Sequence, residues 1–202
     1  MAHAVQMAHP GTAGITPALP HPTSQLDWRA KIWLKTMDSI GWPKVSDSSV
    51  AEARRDLRLL LQTTSIWRPV KRVQEVTIPG PHGPIAMRIY TPLVPRAGAL
   101  LVWFHGGGFV VGDLETADPT CRSLAERSGA TVISVDYRLS PENHFSAGVD
   151  DAYAATLWAF AHARALGCDP ARVAIGGDSA GGTLTALVAQ RLKVVLTAGR
   201  AH

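Results

Sequence analysis

Apolar positions along the chain change their spacing near residue 70. Between residues 26 and 65 they recur at helical intervals: Trp33, Met37 and Ile40 share one face of a helix that stops at Gly41, and a second helix opens on a capping box made by Ser49 and Glu52 and presents Leu57, Leu60 and Leu61. Beyond residue 70 the spacing becomes that of strands. RVQEVTI and IAMRIY, on either side of the turn-rich PGPHGP, predict a hairpin with His82 as a solvated side chain in its turn. LLVWF at 100–104 is a continuous apolar run of the buried-strand kind. The helix after it is expected to take Asp118 as its N-cap and Pro119 as its first residue, to turn Cys121, Leu124 and Ala125 to one side, and to end at Gly129. TVISVDY is the next strand. A helix over 148–166 then sets Val149, Ala152, Tyr153, Thr156, Leu157 and Phe160 on one stripe, RVAIGG returns as a strand, and a helix starting at Ser179 carries Leu184, Leu187, Val188 and Leu192 inward.

Repeated strand and helix with buried-type strands means an α/β fold on a mostly parallel sheet. The first 25 residues, rich in Ala, Pro, His and Thr without periodicity, read as a disordered tail, and the irregular spacing of His3, His9 and His21 there is that of solvated side chains rather than metal ligands.

Composition narrows the class. The 202 residues, 46% apolar and 18% charged, suit one globular domain. A formal charge of +4 raises the question of an acidic partner, but the basic residues are scattered, with Arg68, Lys71 and Arg72 the nearest approach to a cluster, and nucleic acid is not expected. Cys121 and Cys168 lack metal-site or disulfide spacing and read as small core residues. Neither a run of about 18 apolar residues nor a charged segment followed by an apolar one at the start is present, so no membrane span is expected and the expected compartment is the cytoplasm.

Two glycine-rich stretches carry the chemistry. Gly177, Asp178, Ser179, Ala180 and Gly181 place a serine between glycines where a strand turns into a helix, the setting of a nucleophile elbow. The Ala180 amide at the helix start is then aimed where an oxyanion develops, with the helix dipole behind it. His105, Gly106, Gly107 and Gly108 follow the strand LLVWF directly, and three glycines in a row expose backbone N–H groups with no side chains in the way. A nucleotide-binding reading of these glycines fails on spacing, since GGGFVVG is not G-x-G-x-x-G and no Gly-Lys-Ser or Gly-Lys-Thr closes a phosphate loop.

HGGGF, DYRLSPEN at 136–143 and GDSAGG together resemble the hormone-sensitive-lipase-like family of α/β-hydrolases, the bacterial carboxylesterases and acetyl hydrolases, over about residues 26 to 193. The resemblance implies a serine esterase acting on a small acyl ester without cofactor or metal. Residues 26–65 would be cap helices and 72–193 the catalytic core. Ser179 would be the nucleophile and the amides of Gly107, Gly108 and Ala180 the oxyanion hole. His105 would shape the loop, with Gly106, Gly177, Asp178 and Gly181 as supporting motif residues. In that family an acidic residue and then a histidine follow the serine. Here no Asp or Glu follows Ser179, and the single histidine after it is His202. His202 lacks an orienting partner, His105 is committed to its loop, His162 falls inside a helix and His144 stands where the family usually has proline. The expectation is therefore an incomplete domain, with five strands of an implied eight, an atypical tail over 194–202 of the kind a frameshift or premature stop produces, and an open edge on the fifth strand that promotes self-association. Two functional expectations follow: an ester hydrolase by descent, or a silent remnant that binds without turnover.

Overall fold

The computed structural model describes residues 26–41, 48–96 and 98–198, with side chains as far as Lys193. The expectations for the first 25 residues, for the 199–202 segment and for His202 lie outside the described residues. The chain divides into two units, Met1–Lys44 and Val45–His202.

The first unit contains α1, Trp28–Ser39, started by the Asp27 carboxylate, which accepts the Arg29 amide at 2.8 Å. Trp33 and Met37 lie on it, and Ile40 is its C-cap.

The second unit opens with α2, Val50–Thr64, whose capping box is formed by Ser49 and Glu52. Strands β1 (Arg72–Ile78) and β2 (Ile85–Thr91) form the expected antiparallel hairpin. Then come β3 (Leu100–Phe104), α3 (Leu114–Ser128), β4 (Thr131–Asp136), α4 (Phe145–His162), β5 (Val173–Gly177) and α5 (Ala180–Ala198). The sheet order is β1-β2-β4-β3-β5. β3 is parallel to β4 and to β5, while β2 runs against its two neighbours. Helices cover both faces, as α/β layering requires. On one face α3 buries Ala117, Cys121 and Ala125 against Tyr90 and Val132. On the other, α4 and α5 bury Ala152, Ala155, Leu184 and Val188 against Met87, Val102, Phe104, Ile133 and Val135. Both cysteines are buried and free, and burial pushes the Cys121 thiol up to about 12.

Two sequence expectations are corrected. Helix α3 begins at Leu114, a full turn before Pro119, because Asp113 is the N-cap: its Oδ1 accepts the Thr116 amide at 2.8 Å while Thr116 Oγ1 accepts the Asp113 amide at 2.7 Å. Asp118 is thus inside the helix, where it accepts the Tyr90 hydroxyl proton at 3.0 Å and pairs with Arg122. Helix α4 spans 145–162 rather than 148–166, and Leu157 and Phe160 on its supposed inner stripe are exposed. The face it buries is made of Ala147, Gly148, Asp151, Ala152, Ala155, Thr156 and Ala159, small side chains that bring its backbone close to the sheet. His82 is exposed, as expected, with its Nε2 3.0 Å from Asp150 Oδ2.

Candidate active site

β3 and β5 are adjacent and parallel, so the loops leaving their C-terminal ends meet. β5 runs into a two-residue turn, Asp178 and Ser179, before α5 starts. Ser179 has φ 49°, a conformation that costs a residue with a side chain about 1 kcal/mol or more and that the surroundings must enforce. The enforcement is visible. Gly181 donates its amide to Asp178 O at 2.8 Å, and its Cα is pressed so hard on the end of β3 that a Cβ there would sit 1.9 Å from Phe104 O. The Ser179 side chain is exposed at the tip of this turn.

The glycine loop is joined to the elbow by one hydrogen bond: Gly106 donates its amide to Asp178 Oδ1 at 3.0 Å. Gly107 has φ 124°, and its carbonyl accepts the amides of Val110 and Val111, each at 3.0 Å. Because a trans peptide sets C=O and N–H on opposite sides of one plane, holding Gly107 O fixes the direction of the Gly108 N–H. The preceding plane is held the same way. His105 Nδ1 lies 2.7 Å from Gly106 O, which fixes the direction of the Gly107 N–H. Among the described residues, the amides of Gly107, Gly108 and Ala180 donate to no acceptor, and Ser179 Oγ has no hydrogen-bond partner.

His105 is 3% exposed, stacked 4.4 Å from the Tyr137 ring, and its carbonyl accepts the Tyr137 hydroxyl at 2.6 Å. Burial pushes its pKa below the ordinary histidine value, against the opposing pull of the Gly106 carbonyl, so the ring is neutral and its Nδ1 proton is spent on Gly106. The other described histidines are engaged or remote in role. His162 lies on α4 with Nδ1 2.8 Å from Trp158 O, His144 is the exposed N-cap of α4, and His82 pairs with Asp150. None makes a hydrogen bond to Ser179. Among the described residues no group of three or more His, Cys, Asp and Glu is arranged to hold a metal ion, and no helix is long and apolar enough to cross a membrane.

Two cavities flank the glycine loop, and Ser179 lines neither. The first, about 310 Å³, lies between Leu57 and Leu61 of α2, Trp103, Gly106, Gly107, Ala117 and Thr120. The second, about 470 Å³, is charged, with Arg54, Arg58, Asp113, Asp136 and Glu142 around it. Arg54 and Arg58 are not among the residues expected from the sequence, although two arginines one turn apart on a helix are a legible signal that one face meets carboxylates or carbonyls. Arg54 holds the Glu142 carboxyl at about 2. For Asp113, burial opposes ionisation but is outweighed by the Thr116 amide and the Arg58 guanidinium, and its pKa is lowered.

Asp136 behaves oppositely. It keeps solvent contact at the mouth of the cavity, yet enough protein surrounds its carboxyl for desolvation, with the Asp113 charge second, to push its pKa up to about 6. A carboxyl whose folded pKa is raised binds more protons folded than unfolded between its ordinary 3.8 and about 6, so its contribution to stability is present below that window and is lost as pH rises through it. Solvent contact keeps the effect smaller than a sealed carboxyl would show. Asp136→Asn should therefore melt higher than the parent at pH 7 and level with it at pH 4; equal melting curves at both values would exclude a raised pKa.

A model of the family described as alpha/beta hydrolase fold matches residues 101–198. The chain is 44% identical over 165 residues to Esterase LipI of Mycobacterium tuberculosis, covering 80% of this chain and 51% of that protein. It is 44% identical over 144 residues to Carboxylesterase NlhH of the same species, covering 70% and 44%. Among solved structures, an ester hydrolase from the Lake Arreo metagenome, complexed with a bipyridine phosphonate derivative, superposes with a TM-score of 0.79 at 38% identity over 85% of this chain and 56% of that one. A hyperthermophilic esterase from Pyrobaculum calidifontis gives 0.72 at 40% identity, over 80% and 53%. The chain spans about half the length of the curated relatives it matches.

Proposed function

The chain belongs to the hormone-sensitive-lipase-like family of α/β-hydrolases, and on that premise we propose that it carries the nucleophile and oxyanion half of a carboxylic ester hydrolase. Ser179 Oγ attacks the carbonyl carbon of a small acyl ester, and its hydroxyl proton passes by way of solvent to the departing alcohol oxygen. The carbonyl oxygen becomes an oxyanion that accepts the amides of Gly107, Gly108 and Ala180, with the positive end of the α5 dipole behind the last of these. Collapse of the tetrahedral species expels the alcohol and leaves the acyl group on Ser179, and attack by water releases the acid. No step calls for a metal or cofactor. The observation that carries this reading is the interlock of two loops, Gly106 N–H on Asp178 Oδ1 at 3.0 Å, which sets the Ser179 turn beside a row of amides without acceptors.

A second reading concerns the 202 residues taken alone, and the bare Ser179 Oγ favours it. With no described histidine in contact, the chain captures an acyl group slowly and does not complete the cycle. Release of p-nitrophenol from a short p-nitrophenyl ester, measured beside the Ser179→Ala variant, tests the nucleophile under both readings. Equal release from the two proteins would remove Ser179 from the chemistry.

A further inference from the structure

We propose that Arg54 of α2 is a positioning residue for the oxyanion loop: its guanidinium grips the Val110 carbonyl and, through it, sets the direction of the Gly108 N–H. This rests on the reading of the oxyanion donors given above. Arg54 Nε donates to Val110 O at 2.8 Å, and Nη2 donates to Ser140 O at 3.1 Å. Nη1 and Nη2 form a two-pronged pair with Glu142, at 2.7 and 2.8 Å. Ser140 in turn donates its amide to Phe109 O at 2.8 Å. Arg54 therefore ties together α2, the glycine loop and the loop after β4. Its planar fork can satisfy carbonyl and carboxylate acceptors at once, which a lysine ammonium on a flexible stem cannot.

The link to chemistry is short. Val110 contributes its amide to Gly107 O, and Gly107 O shares a peptide plane with the Gly108 N–H. Phe109, between them, has φ 64°, a conformation that relaxes unless something holds it. One turn further along α2, Arg58 Nε donates to Asp113 Oδ2 at 3.0 Å, so α2 grips both the middle and the end of the 105–113 segment. With Arg54 removed, the 108–110 backbone is free to rotate towards commoner angles, and the Gly108 N–H swings off the oxyanion.

The test uses the full chain and p-nitrophenyl acetate, following acetylation by intact mass and subtracting the Ser179→Ala background. Arg54→Met should lower the limiting acetylation rate by about 10-fold to 100-fold, the scale of a misplaced or lost oxyanion donor, with the half-saturating ester concentration unchanged. A residue that merely holds the fold would instead lower the melting temperature and leave the rate of the folded fraction alone. Glu142→Gln keeps an acceptor for Arg54 and leaves the Val110 contact, and should acetylate within about threefold of the parent. Should Arg54→Met not fold, Arg54→Lys carries the test, with a loss of at least about fivefold expected. Parent-like rates in a folded Arg54 variant overturn the positioning role while leaving Ser179 in place, as does a Glu142→Gln loss as large as that of Arg54→Met. A parent no faster than Ser179→Ala removes the nucleophile reading and this inference together.

Discussion

Mixed with excess p-nitrophenyl acetate, the 202-residue chain will release about one equivalent of p-nitrophenol slowly and then nearly stop. The reason is an imbalance between what is built and what is not. The proposed oxyanion donors are held in direction by His105 on Gly106 O and by Val110 and Val111 on Gly107 O, yet Ser179 Oγ meets no base among the described residues. In a serine protease, losing the serine or the histidine costs on the order of 10⁶ in turnover, with roughly 10³ to 10⁴ over water left to the oxyanion hole and binding. With Ser179 in the proposed role, a residual of that size is enough for slow capture from an ester with a good leaving group. Deacylation suffers more, because water then needs a base and no activated leaving group helps. Sustained linear release that disappears in Ser179→Ala would show that a histidine set aside above reaches the serine in solution.

The largest expected effect on stability comes from a single methyl group. Gly181→Ala places a Cβ 1.9 Å from Phe104 O and 2.9 Å from His105 O, backbone atoms where β3 ends and the glycine loop begins. Neither can yield without parting β3 from β5. We expect a loss of about 4 kcal/mol or complete failure to fold, the upper range for point substitutions. Gly108→Ala is the control, since nothing lies within 4 Å of a Cβ there although its φ is 60°. It should cost only the left-handed conformation, about 1 kcal/mol. Urea melts of the two variants beside the parent decide the matter, and similar midpoints for both would contradict the close packing of Gly181.

The elements legible in the sequence were those whose signals are local. The Ser49 and Glu52 box, the hairpin around PGPHGP, and the apolar runs of β3 and β4 each announce themselves within a few residues. The start of helix α3 is hidden in the sequence because Pro119 imitates a first-turn proline, while the true start, Asp113 with Thr116 three residues on, stands in a run with no apolar periodicity. The α4 stripe looks too wide in the sequence because large apolar side chains suggest burial, whereas the sheet takes the alanine face and leaves Phe160 outside. In the site, the serine turn and the glycine loop could be found by pattern alone. Their interlock through Asp178, 72 residues from Gly106, and the grip of Arg54 on Val110, 56 residues away, could not, since only the β3 and β5 pairing and the docking of α2 bring those atoms together.

Peptide mapping after brief exposure to p-nitrophenyl acetate bears most directly on the role of Ser179. The expected result is one acetyl group on the segment between Arg172 and Arg191, located at Ser179 and missing from Ser179→Ala. Acetyl groups spread over lysines and histidines, with Ser179 unmodified, would contradict a nucleophile at this turn.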